Sequence, residues 1–168
     1  MASDATAFSV VVLIDMQSRF IEQLKGGVAE HLMTAQLQVL AHCAARDIPL
    51  VVLEYDGFGL TVEPLQGAIR RVLRHTFVVK GTDDWFNTCQ LYGVLQAYEA
   101  ETILFMGINA EACVRDTAAS ALRHGYHIVT AEALIASACR ARVRRSAFVW
   151  YKRNGVLFRG AALPISGY

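Results

Sequence analysis

"TILFMGINAEACVRDTAASALRHGYHIVT", residues 102–130, carries the pattern that decides the fold. "TILFM" (102–106) is short and continuously apolar, as expected of a strand buried on both faces. A helix of mostly small residues is predicted over roughly 111–124, and Gly125 is a natural C-cap for it. "HIVT" (127–130) returns the chain to extended structure. Two strands joined through a helix run parallel, because the crossover brings the second back in the same direction.

The same alternation extends in both directions. "FSVVVLI" (8–14), "LVVLE" (50–54) and "TFVVK" (76–80) read as three further strands, and "GVLF" (155–158) as a short closing one. Helices are predicted over 29–46, over 62–74 with a proline in the first turn, over 88–100, and near 138–152. The order implies one α/β domain over residues 1–168. The expected fold is a Rossmann-like three-layer α/β/α sandwich, with a mostly parallel sheet of about six strands covered on both faces. No internal repeat, linker or low-complexity tract interrupts it.

Composition narrows the class. Of 168 residues, 54% are hydrophobic and 18% charged, which argues for a compact core and against disorder. A formal net charge of +1 gives no global attraction to nucleic acid or membranes. "RARVRR" (140–145) lacks aromatic interleaving and reads as a solvated helix face or subunit contact. The N-terminus lacks the basic residues of a signal peptide, and no apolar run is long enough to span a membrane. Four separated cysteines, with no zinc-type spacing, fit free thiols in a reducing cytoplasm.

In parallel α/β sheets, ligands bind beyond the carboxyl ends of the strands. Three polar residues fall there: Asp15 after the first strand, Lys80 after the third, and Cys113 at the start of the helix after the fourth. Each has a plain alternative, namely a turn aspartate, a solvated lysine and a buried thiol. Together they suggest chemistry. A helix N-terminus stabilises a thiolate, a carboxylate can take and return its proton, and an ammonium can hold developing negative charge.

These segments resemble the isochorismatase-like cysteine hydrolases. "LIDMQSRF" resembles that family's opening strand, with its Asp, a following Gln and an aromatic residue. "VVKGTDDWFNTCQL" resembles its lysine strand, and "GINAEACVRDTAASALRHGYHIVTAEAL" its cysteine segment. The resemblance spans roughly 8–135. It implies an Asp15–Lys80–Cys113 triad that cleaves a C–N bond of a small amide or ureido substrate through a thioester. It also implies a non-proline cis peptide at Ile108–Asn109, which aims the Asn109 and Cys113 N–H groups as an oxyanion hole. Phe20, Trp85 and Phe86 are expected around the substrate, and a homo-oligomer, dimer or larger, is expected.

"EYDGFGLTVEP" departs from the family's metal-binding members, because it offers Glu54 and Asp56 but no histidine. No metal is therefore expected. "DGFGL" lacks the third glycine and the strand-to-helix context of a dinucleotide loop, and no Walker A sequence exists, so no organic cofactor is expected either, and the partner is a small molecule rather than nucleic acid or membrane. The segment is also short, so an open pocket or one completed by a neighbouring subunit follows. Two alternatives belong to other classes: a non-catalytic scaffold or ligand-binding oligomer, and a redox-sensing thiol.

Overall fold

The structure, a computed structural model, describes residues 8–81 and 90–165. Among these residues seven strands form one sheet: β1 (Val10–Ile14), β2 (Leu50–Tyr55), β3 (His75–Lys80), β4 (Thr102–Ile108), β5 (His127–Ala131), β6 (Ile135–Ala136) and β7 (Val156–Phe158). Among the described residues six helices connect them: α1 (Ser18–Ile21), α2 (Val28–Arg46), α3 (Leu65–Ile69), α4 (Gln90–Ala97), α5 (Cys113–Arg123) and α6 (Ala141–Asn154). The strand order is β3-β2-β1-β4-β5-β7, with β6 paired to β4, and all these pairings are parallel. This is the Rossmann-like α/β architecture.

Side-chain alternation along β1 divides the core. Val11 and Leu13 pack against α2 and α3, while Val10, Val12 and Ile14 pack against α4, α5 and α6. Both faces of β1 are therefore dry, which is why its sequence is apolar without a break. Among the described residues no helix is long and apolar enough to cross a membrane.

Two expectations need correction. The helix predicted over 62–74 is only Leu65–Ile69, entered after the cis Glu63–Pro64 bond. By Arg74 the chain is already in the sheet, since its carbonyl accepts the Leu50 N–H at 2.9 Å. So short a helix leaves the edge strand β3 bare on that side. Phe77 and Val79 are 45% and 55% exposed there, so the sheet is not covered on both faces along its whole width. The one-turn helix α1 and the two-residue strand β6 were absent from the predicted elements. Both are too short to show a period of their own.

The seam between β1 and β4 is unusually close. Gly107 lies opposite Ile14 in the register with φ +140°, and a Cβ there would sit 2.1 Å from the Ile14 carbonyl oxygen. Gly107→Ala is therefore expected to lower stability by about 3 kcal/mol or more, through overpacking added to a backbone conformation alanine resists. Urea denaturation measures it. A midpoint equal to the wild-type one would show that the seam can open at no cost.

Candidate active site

The strand order reverses between β1 and β4, and ligands of such sheets bind outside that reversal. Asp15 directly follows β1, and Cys113 opens α5, one loop beyond β4. Lys80 ends β3, two strands away from β1, and reaches back to it.

Asp15 has φ +53°, in the left-handed region that residues other than glycine seldom occupy, although Asp and Asn tolerate it better than most. Its N–H remains in the sheet, donating to the Leu53 carbonyl at 2.9 Å. The backbone turn therefore comes where strand pairing ends. Helix α1 begins shortly after, but its N-cap is Gln17, so Asp15 is not a helix cap. The Asp15 Oδ2 lies 3.3 Å from Lys80 Nζ, and both side chains are fully buried. Lys80 Nζ also sits 5.2 Å from the centre of the Tyr55 ring, within cation–π range.

On the other side of the seam, the Ile108–Asn109 peptide bond is cis. The loop it opens is tied down at both ends. The Asn109 carbonyl accepts N–H bonds from Ala112 and Val114, each at 3.1 Å, and Ala110 N–H donates to the Ala136 carbonyl at 2.9 Å. The buried Tyr151 hydroxyl donates to the Ala110 carbonyl at 2.8 Å, so α6 braces the same loop. Cys113 is 4% exposed, and its carbonyl accepts the Thr117 hydroxyl at 2.6 Å. As the first residue of α5, Cys113 stands among N–H groups that no helical carbonyl can satisfy.

The cysteines differ chemically. Cys43, Cys113 and Cys139 are free thiols. Burial pushes the Cys43 thiol up to about 12, which leaves it inert at neutral pH. Cys139 is exposed, but a hydrogen bond to the Glu111 carboxylate raises it. Cys113 alone of these three opens a helix beside the reversal in strand order.

Phe20, expected near the substrate, stacks on Phe58 with centroids 5.2 Å apart. Tyr55 meets Phe58 edge-on at 5.1 Å and also reaches Lys80, so the aromatic group borders the buried ion pair. Trp85 and Phe86, the other two expected substrate contacts, lie outside the described residues.

Three contributors carried no assigned role in the sequence reading. Gln17 is fully buried and holds the segment after β2: its Nε2 donates to the Tyr55 and Gly59 carbonyls, and its Oε1 accepts the Tyr55 N–H. Tyr55 and Phe58 lie in "EYDGFGL", a stretch whose sequence stands out only for its missing metal-binding histidine and its shortness. Their signal was two aromatic residues just past a strand end.

Glu54 Oε1 accepts both the Thr61 N–H and the Thr61 hydroxyl, at 2.6 and 2.8 Å. That side chain pins a loop. Among the described residues no three His, Cys, Asp or Glu side chains gather so as to hold a metal ion.

A reversal in strand order flanked by a buried carboxylate–ammonium pair and a helix-start thiol is the candidate site of this Rossmann-like α/β protein. The Isochorismatase domain model matches residues 9–153, and the chain belongs to that family of hydrolase-like proteins. No curated protein matches it significantly.

Among solved structures it is similar to the MAR1 ribonuclease from Caenorhabditis elegans, with 21% identity, TM-score 0.77, and 93% of this chain and 78% of that one covered. It is also similar to a nicotinamidase from Staphylococcus aureus, with 18% identity, TM-score 0.78, and 89% and 96% covered. The N-carbamoylsarcosine amidase from Thermoplasma acidophilum gives 19% identity, TM-score 0.75, and 94% and 98% covered. Likeness at these identities shows the shared fold, which hosts differing activities.

Proposed function

We propose that this protein is a cysteine-dependent hydrolase that cleaves a C–N bond of a small amide or ureido substrate. The observation that carries the reading is the Asp15–Lys80 pair, 3.3 Å apart and wholly buried at the strand reversal that Cys113 also borders. Burying two charges is costly and seldom contributes net stability. A fold that retains such a pair beside a thiol is reasonably read as using it.

In the proposed cycle, Asp15 accepts the Cys113 proton and the sulfur attacks the substrate carbonyl carbon. The resulting oxyanion is held by the N–H groups of Asn109 and Cys113, with Lys80 supplying positive charge nearby. The C–N bond breaks, Asp15 returns the proton to the departing nitrogen, and ammonia or an amine leaves. Water then attacks the thioester, which restores the thiol and releases the acid. Phe20, Tyr55 and Phe58 would bound the substrate on the side of β2. The nicotinamidase and the N-carbamoylsarcosine amidase of the same fold are named for C–N cleavage of this kind.

The reading includes one domain over residues 1–168, no cofactor, and a homo-oligomer. The free thiols of the described cysteines support a reducing, cytoplasmic setting. Ammonia release from a panel of small primary amides and ureido acids tests the activity. At least one substrate should turn over with kcat in the usual enzymatic range of roughly 1–10³ s⁻¹. A panel without turnover, together with a Cys113 thiol inert to alkylation near neutral pH, would leave the scaffold reading in its place.

A further inference from the structure

Residues 109–112 form the turn between β4 and α5, closed by the Ala112 N–H donating to the Asn109 carbonyl at 3.1 Å. The two N–H groups that hold the oxyanion in the proposed cycle, those of Asn109 and Cys113, flank this turn. Its conformation therefore sets how far apart they stand and where each points.

The peptide units of the turn are held unequally. The Asn109–Ala110 unit is fixed by the main chain on both edges: its carbonyl accepts the Ala112 and Val114 N–H groups, and its N–H donates to Ala136. The central unit, Ala110–Glu111, is the one whose orientation distinguishes turn types that share their end points. Among the described residues its carbonyl is held by a side chain instead, the Tyr151 hydroxyl at 2.8 Å. Ala110 and Tyr151 are both buried, so losing that hydroxyl would strand the carbonyl away from water. The Glu111 carboxylate accepts the Ser137 hydroxyl, so the chain after β6 grips the turn from a second direction.

Tyr151 projects from α6 into the apolar cluster that also contains Val10, Phe105 and Val114. A phenylalanine would fill the same space, so packing alone does not call for the hydroxyl. Burial pushes the phenol well above the usual tyrosine range, which keeps it a proton donor at neutral pH.

We propose that Tyr151 is a positioning residue for the reaction: its hydroxyl holds the Ala110–Glu111 peptide unit, and thereby the spacing of the Asn109 and Cys113 N–H groups around the oxyanion. The inference rests on the hydrolase reading, and Tyr151 acts through the turn rather than on the substrate. Donor alignment governs stabilisation of the oxyanion more than binding of the substrate, so its loss falls on kcat rather than KM.

Tyr151→Phe in the full chain removes the hydroxyl and keeps the ring. For an amide that wild type cleaves, kcat is expected to fall about tenfold or more, with KM within about twofold. Iodoacetamide alkylates Cys113 without forming an oxyanion, and should react at the wild-type rate with the wild-type pH profile. Tyr98→Phe is the control. It removes a hydroxyl that meets Thr76 Oγ1 at 2.6 Å near the start of β3, and should leave kcat unchanged. An unchanged kcat in Tyr151→Phe overturns the proposal, as does an equal loss in the control. Alkylation that slows in step with turnover overturns it too, because the hydroxyl then acts on the thiol.

Hydrogen exchange supplies a readout that needs no substrate. The Ala112 and Val114 amides, both bonded to Asn109, should exchange about tenfold faster in Tyr151→Phe and at the wild-type rate in Tyr98→Phe. Wild-type exchange in Tyr151→Phe overturns the proposal. If wild type cleaves no amide, the hydrolase reading falls and takes the catalytic role with it, while exchange still decides whether the hydroxyl holds the turn.

Discussion

Cys113→Ala is expected to lower kcat/KM for any amide the protein cleaves by roughly 10⁴-fold or more, the scale seen when the nucleophile of a hydrolase is removed. The fold should survive. Cys113 is nearly buried at the start of α5, and losing one sulfur atom there removes little apolar contact, costing about 1 kcal/mol. Circular dichroism and a thermal melt verify the fold, and ammonia release measures the activity. Turnover within a few fold of wild type would remove the thiol from the mechanism. A variant that loses both fold and activity calls for Cys113→Ser, which keeps a small polar group in the same space.

Lys80→Met carries the second large effect. It leaves the Asp15 carboxylate buried without the ammonium 3.3 Å away, and breaking one side of a buried pair typically costs about 3–5 kcal/mol. Both stability and turnover should fall. The companion double variant, Asp15→Asn with Lys80→Met, removes both charges and should regain much of the lost stability while remaining inactive. That split separates a pair kept for chemistry from one kept for folding. If the double variant is no more stable than Lys80→Met, the two charges do not act as a pair. Urea denaturation of the three proteins provides the comparison.

The amide would react over the reversal between β1 and β4, with the aromatic side chains Phe20, Tyr55 and Phe58 toward β2. The loop that leads into Cys113 is braced by Ala136 and by Tyr151, so the thiol is positioned by β6 and α6 as much as by its own helix.

The alternation of apolar strands with helices made the layered parallel sheet legible from sequence, since a strand buried on both faces must be apolar throughout. Asp15 and Lys80 stood out because each is a polar residue at the end of such a run, and Cys113 because it opens the helix that follows one. What the chain could not reveal by itself depends on contacts between segments distant in sequence. Only the folded chain places Lys80 of β3 against Asp15, just after β1. Only there does Gln17 anchor the loop after β2, and does the loop leading to Cys113 gain its brace from Ala136 and Tyr151. The exposed face of β3 was equally out of reach, because "TFVVK" reads the same whether or not a helix covers it. Local pattern reports which residues are fit to be buried, but whether each is buried, and by which partner, is settled by packing across the sheet.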